Sequence, residues 1–329
     1  MTAFSGRRVA VGVGLESKST LAPVDPQYWF ATTERNFQRT QDKIMNEQSI
    51  GSRFATQSTR IVRDHATGNI AGIVNPDNFP VLLHLILGGD ITSAKTGSGN
   101  TLIGTHTITN DDSTFTPPFT TYIQNPVYNE RYKNCQAGNL TLNVSANDFV
   151  TFTADIMGKT GETQTKKAVS YVEPEHFASG DIKWQIGATS SSLGADSLKI
   201  KSLSINTDGN SEAYGTVTST DYETFVAKTL KCTGQFVMLF EDTTVRDLWL
   251  KNTIQAVKLT LTGASNIGTT TTKYSVEITL PKIRLTNVVE NRGTDDIQEL
   301  TVDYAVESNE GGDNKSITAV VKNNREEYA

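Results

Sequence analysis

The chain of 329 residues has two cysteines, four methionines, four histidines, nine prolines and no long apolar run. No stretch approaches the ~18 apolar residues of a membrane-spanning helix. The opening segment carries Arg7 and Arg8, but its apolar part breaks at Glu16, so it is read as no signal peptide. Without an export signal, Cys135 and Cys232 are expected to be reduced, and their apolar, strand-like surroundings suit small core residues. His65, His84, His106 and His176 form no zinc-type spacing, and no CxxC occurs. Met157-Gly158-Lys159-Thr160 looks like the end of a phosphate loop, but position 153 is Thr where the first glycine belongs. The segment reads as a turn after a strand. Val11-Gly12-Val13-Gly14 lacks the third glycine of a dinucleotide fingerprint, position 17 being Ser. There is no GxSxG. The acidic pairs Glu173/Glu175 and Asp295/Asp296 read as solvated turn charge, and the runs 190–192 and 269–272 as polar loop or hairpin tips. No constellation has a physical reason to react. The chain is expected not to be an enzyme and to need no cofactor or metal. A net charge of −6 disfavours tight nucleic-acid binding through a basic face.

What the chain has in plenty is threonine, 46 residues or about 14%. Thr is β-branched and fits a pleated, half-wet surface. Apolar residues at 36% suffice for cores, and the length suits two ordinary domains or one large all-β domain.

One unit occurs twice. GNIAGIVNPDNFPVLLHL, from Gly68, reads as a strand (Ile70, Ile73, Val74), a turn, then an apolar helix through Phe79, Leu82, Leu83 and Ile86. Asn75 or Asp77 is the expected cap, and Gly88-Gly89 the stop. GQFVMLFEDTTVRDLWLKN, from Gly234, has the same grammar, with a helix carrying Val245, Leu248 and Trp249. At an offset of 166, Gly68 falls on Gly234, Ile70 on Phe236, Phe79 on Val245 and Leu82 on Leu248. A strand and a polar, Gly-closed turn precede each unit. Alternating segments follow: 105–109, 120–124, 140–144 and 149–156 in the first half, and 257–261, 274–280, 283–288 and 300–306 in the second. Final strands are expected at 167–172 and 316–321. Period-2 alternation buries one face and leaves a Thr-rich face wet. The expectation is a mainly β chain of two tandem sandwich- or barrel-like domains, 1–172 and 173–329, each with one short helix. Their weakly charged sheet faces suit an assembly that removes free edges.

Four segments carry a resemblance to a known family: GRRVAVGVGLESKSTLAPVDPQYWFATTE (6–34), CQAGNLTLNVSANDFVTFTADIMG (135–158), the run from SLKIKSLSINTDGN (197–210) through STDYETFVAKTLKCTGQFVMLFEDTTVRDLWL (219–250), and DDIQELTVDYAVES with SITAVVKNN (295–324). In these the chain resembles the bacteriophage major tail tube proteins of long-tailed phages. The resemblance implies a structural virion protein, assembled in the host bacterial cytoplasm, whose rings stack into a hollow tail. It implies an inner barrel completed by oligomerisation, and as partners other copies, the tape measure, tail tip and tail terminator proteins, and genome DNA passing without specific binding. With four strands from each of six domains, 24 strands spaced ~4.8 Å and tilted ~40° close at a diameter of roughly 47 Å. Side chains narrow that by roughly 10 Å, and a duplex about 20 Å across still passes. A duplicated subunit makes three chains a pseudo-sixfold ring, the alternative being a hexamer. By analogy with the family's long loop, the turns at 42–50 and 208–214 are the candidate ring-to-ring contacts, with Asp42, Lys43, Met45, Glu47, Asn210, Glu212 and Tyr214. Residues 1–25 and 310–329 are expected as arms ordered only in the tube. The alternative function is a carbohydrate-binding β-sandwich module or adhesin. Against it, Trp29, Trp184 and Trp249 sit in apolar-patterned segments rather than as exposed platforms.

Overall fold

In the computed structural model, two long strands, each bent in its middle, set the architecture. The structure describes residues 5–328 except 18, 49–50, 52, 55, 57, 112–115, 173–174, 195–197, 292, 295–296 and 310–314. The first half contains β1 (Ala10–Leu15), β2 (Tyr28–Phe30), β3 (Glu34–Arg35), β4 (Gln38–Asn46), β5 (Ser58–Ile73), α1 (Phe79–Leu87), β6 (Thr92–Thr96), β7 (Ile103–Thr109), β8 (Phe119–Gln124), β9 (Asn129–Ser145), β10 (Thr151–Gly158) and β11 (Gly161–Thr163). The second contains β12 (Ile182–Gly187), β13 (Ile200–Asp208), β14 (Ser211–Gly215), β15 (Tyr222–Ala227), β16 (Lys231–Leu239), α2 (Thr244–Leu250), β17 (Gln255–Asn266), β18 (Lys273–Glu290), β19 (Glu299–Val306) and β20 (Thr318–Asn323). The chain is mainly β.

The bent strands are β9 and β18. The N-terminal part of β9 pairs with β8 and β11, and its C-terminal part pairs with β10 and β13. The register shifts beside Gly138, where the extra residue re-aims the strand from one layer to the other. β18 behaves alike. Its first part pairs with β17 and β20 and its last part with β19, with Pro281 between. Segments 274–280 and 283–288, expected as two strands, are thus one. Pro281 is tolerated because it sits where the strand changes layers and needs no ladder bond.

Eight antiparallel strands form one continuous inner sheet in the order β4–β5–β10–β9–β13–β16–β19–β18. The order β4–β5–β10–β9 recurs as β13–β16–β19–β18, and the β9–β13 pairing joins the two sets. A second layer holds β2–β1–β8–β9–β11 over the first half. Over the second it holds β12–β17–β18–β20–β7–β6, to which the first half lends β6 and β7. The sheets are open. Among the described residues none closes into a barrel.

Alternation along the inner strands separates the faces. Leu140, Leu142, Phe152, Ile156, Leu203, Ile205, Phe236, Leu300, Val302 and Tyr304 are buried in one cluster that runs through both halves. At ~1.5–3 kcal/mol per fully buried large apolar side chain, this seam is the main source of cohesion between the halves. Trp184 lies in it beside Phe236 and Tyr304, ring centroids 5.9 and 6.0 Å away.

The helices fall where their apolar spacing puts them. α1 ends at Gly88, whose φ of 80° and N–H to the His84 carbonyl make a left-handed stop. Its cap differs from expectation. Asn75 Oδ1 accepts from the Asp77 N–H at 2.8 Å, and the Asn75 carbonyl accepts from Phe79, whereas Asp77 is buried with Oδ1 unpartnered. At α2, Asp242 Oδ1 accepts from the Thr244 N–H at 2.8 Å.

Other expectations are corrected. Residues 167–172 form no strand; Lys167 instead exchanges backbone bonds with the Gln124 side chain. The segments expected as free arms are largely built in. β1 is a buried strand between β2 and β8, and β20 lies between β18 and β7. Residues 1–4 and 310–314 of those arms lie outside the described residues, as do Glu173 and the pair Asp295/Asp296.

Candidate assembly surface

Three surfaces remain that the fold does not use internally. The first is an arm at one end of the sheet. Asp42, Lys43 and Met45, expected in a turn, continue β4 and pair with Arg63, Ile61 and Thr59 of β5, and Glu47 follows just beyond. All four are exposed, because the β4–β5 ribbon runs past the second layer and no other described segment covers them. Ile44, Met45 and Ile61 present apolar surface there. Ribbon pairing rather than a loop follows from residues 58–63, which continue β5 opposite them.

The other expected turn, 208–214, is also partly strand. Asp208 ends β13. Asn210 takes a positive φ of 43° while its N–H bonds Asp208 Oδ1 at 2.8 Å. Glu212 and Tyr214 lie in β14, which pairs with β15 as a separate two-stranded sheet. Glu212 forms an ion pair with Lys228, and Tyr214 is exposed.

The structure brings these two segments together through a residue that sequence reasoning missed. Arg63 of β5 donates to the Ser219 carbonyl at 2.7 Å and the Thr216 carbonyl at 2.9 Å. Its guanidinium lies 5.6 Å from the centre of the Tyr222 ring. Next to it the Asp64 N–H donates to the Thr220 carbonyl at 2.8 Å, and Lys159 Nζ donates to the Glu223 carbonyl at 2.7 Å. Asp64 itself is gripped by Arg39, Nε to Oδ1 2.8 Å, which holds its carboxyl below the usual range. The ribbon and the β14–β15 hairpin are one body. No local pattern marks Arg63, because its partners lie more than 150 residues away.

The second surface is the wet face of the inner sheet. It carries Asn139, Thr141 and Asn143 of β9, Thr151, Thr153 and Asp155 of β10, Ser204, Asn206 and Asp208 of β13, Gln235 of β16, Thr301 and Asp303 of β19, and Asn287 of β18. Their side chains bond along the face. Thr141 Oγ1 donates to Asn206 Oδ1 at 3.2 Å, Gln235 Nε2 to Asp303 Oδ1 at 2.7 Å, and Asn287 Nδ2 to Asp303 Oδ2 at 3.2 Å. Its lysines are countered: Lys201 Nζ lies 2.7 Å from Glu299, and Lys231 stands opposite Asp208. The face is polar and weakly acidic.

The third surface is the pair of sheet edges. β3 and β4 pair only with β5, and residues 284–290 of β18 pair only with β19 among the described residues.

Neither cysteine offers chemistry. Both are free and buried, and burial pushes the thiols up to about 12 for Cys135 and about 11 for Cys232. Trp29 and Trp184 are buried and Trp249 packs on the core, as their apolar patterns require. No helix among the described residues is long and apolar enough to cross a membrane.

An open antiparallel sheet with one apolar face, one polar face and, among the described residues, an unpaired edge at each end defines a mainly β protein with no closed barrel of its own. Comparison with known families then places it. The family model of the phage tail tube protein matches residues 6–307, and the chain belongs to that family. It is a structural protein of the phage tail. A search of curated proteins finds no match to the chain.

Proposed function

We propose that the chain is the repeating unit of a hollow tail tube through which DNA passes from capsid to host cell. The observation that carries this reading is the eight-stranded inner sheet, open at both edges, whose exposed face is polar and mildly acidic. Residues 1–172 and 173–329 act as two tube domains of four inner strands each. Three chains supply 24 strands and a pseudo-sixfold ring. The arm around Arg63, with Asp42, Lys43, Met45, Glu47, Asn210, Glu212 and Tyr214, lies at the end of the sheet where a stacked ring would touch. The tail tip, the terminator and the tape measure protein are the further partners of such a tube.

The work is passive, with no reaction for the protein to catalyse. A 24-stranded channel leaves a gap of roughly 8 Å on each side of a duplex, about one Debye length at physiological salt. At that range the carboxylates of Asp155, Asp208 and Asp303 repel phosphates weakly. Inward lysines would instead gain salt-dependent phosphate contacts and act as brakes. Asn, Thr and Ser hold a water layer and offer no fixed positive charge.

Negative-stain electron microscopy of the concentrated protein tests the proposal. Hollow tubes of constant width with a channel wider than a duplex are expected. Solid fibres, or a monomer at every concentration and with tail-tip complex added, would overturn it.

A further inference from the structure

Within the eight-stranded sheet the two halves meet at β9 against β13, and the outer strands of that sheet leave two edges from which a like joint could be made. We propose that a second copy lays its β3–β4 edge antiparallel along residues 284–290 of β18, with Gln38 opposite Val289 and Thr40 opposite Asn287. This deepens the tube reading and rests on it.

Internal landmarks fix the register. Gly68 stands opposite Ile156 between β5 and β10, and Gly234 opposite Tyr304 between β16 and β19. Counting from them sets Asp155 level with Asp303. Each faces an asparagine across the ladder, Asn139 in one case and Asn287 in the other. On the other side, Gln38 faces Thr67 and Asn206 faces Thr233, the residues just before the two glycines. Gln38 is therefore the counterpart of Asn206, and Thr40 of Asp208. In the internal joint Asn206 lies opposite Thr141 and Asp208 opposite Asn139. Transposed, the same pairing sets Gln38 on Val289 and Thr40 on Asn287. A slip by one residue would turn the buried side chain of Phe37 to the wet face.

A second observation agrees. α1 has eight of its nine residues buried, and Ile86 Cδ1 lies 3.5 Å from where a Cβ on Gly209 would be, just past β13. α2 has only Val245 buried, and Leu250 and Ile254 beside it are exposed. The segment after β13 approaches the end of α1 at Ile86. In the proposed joint the corresponding stretch of β4 from the second copy lies over the end of α2. α2 does not obstruct the edge, since α1 packs on β9 in the same way while β9 bonds β13.

Facing residues of an antiparallel pair have Cα atoms ~4.5–5.5 Å apart, within disulfide range. The test is oxidation of assembled protein carrying Gln38→Cys with Val289→Cys, or Thr40→Cys with Asn287→Cys, followed by a non-reducing gel. The slipped pair Gln38→Cys with Asn287→Cys and the internal pair Thr141→Cys with Asn206→Cys are run alongside. In-register pairs are expected to give covalent multimers at least tenfold more abundant than the slipped pair. Hydrogen exchange on the unmodified chain should show residues 34–40 and 284–290 gaining protection on assembly. Tubes in which the internal pair crosslinks but the in-register pairs do not, or in which those segments stay unprotected, overturn the joint alone. A chain that never assembles overturns the tube reading as well.

Discussion

The two helices occupy corresponding places after corresponding strands, yet α1 is buried on nearly every side and α2 on one. The difference lies in what surrounds them. α1 is roofed by β7 and by the C-terminal tail of the chain. Asn323 Nδ2 donates to the Pro76 carbonyl at 2.9 Å and Tyr328 Oη donates to the Asp77 carbonyl at 2.7 Å. The Tyr328 ring stacks 5.8 Å from Tyr28. Among the described residues α2 has no such roof. The corresponding helices are unequal because β7 and the C-terminal tail lie over α1, whereas α2 packs on β18, the outer strand of the eight-stranded sheet.

Leu82 of α1 and Leu248 of α2 break or sharpen the contrast most strongly. Leu82→Ala should cost about 3 kcal/mol, since the buried site cannot refill. Leu248→Ala, only partly buried, should cost under about 1.5 kcal/mol in the free chain. Urea unfolding of both variants as monomers decides it, and equal losses would refute the asymmetry.

The paired glycines come next. A Cβ on Gly68 or on Gly234 would meet a backbone oxygen at 2.3 Å in either case, Asn36 or Ser204. Only Gly68 also has a positive φ, 147°. At Gly234 the Cβ would also meet the end of the Tyr304 side chain, at Gly68 only further backbone, and Gly68→Ala alone adds about 1–3 kcal/mol of backbone strain, so it should be the worse of the two. Thermal unfolding of the two variants reads the difference directly.

The acids ahead of the helices give the most pH-dependent contrast. Burial raises the Asp77 carboxyl to about 6, while backbone and hydroxyl bonds from Thr244 lower that of exposed Asp242. Between pH 4 and 6 folded Asp77 binds more protons than the unfolded chain, so its contribution falls as pH rises through that window and stays unfavourable above it. Asp242 acts oppositely, its contribution being present at neutral pH and lost on acidification. Asp77→Asn should therefore raise stability at pH 7.5 by about 2 kcal/mol and leave it little changed at pH 4. Asp242→Asn should lower it at pH 7.5. Melting curves across pH test both signs.

Much of this was legible in the sequence, for local reasons. Both helices announced themselves through apolar spacing, the first also through its stop at Gly88, and most strands through alternation. Cys135, Cys232, Trp29 and Trp184 were rightly placed inside. Apart from the cap of α1 and the strand expected at 167–172, the failures are long-range. Pro281 reads locally as a break, and only the layer change of β18 makes it compatible with a continuous strand. Residues 10–15 read as part of an arm because their partner β8 is distant in sequence, whereas the strand read at 316–321 is present as β20, and only its docking on the distant β7 was not legible. The segments at 42–47 and 208–214 read locally as turns; that they are largely strand, and that Arg63 ties the β4–β5 ribbon to the β14–β15 hairpin, was not legible, since its acceptors are backbone carbonyls with no side-chain signature.

The central claim is that one chain supplies two equivalent sets of inner strands. Native mass measurement on isolated rings tests it most directly. The account predicts a closed ring of three chains, with no larger ring at any protein concentration. Rings of six chains would contradict it, because twelve sets of inner strands would then stand where six close the channel.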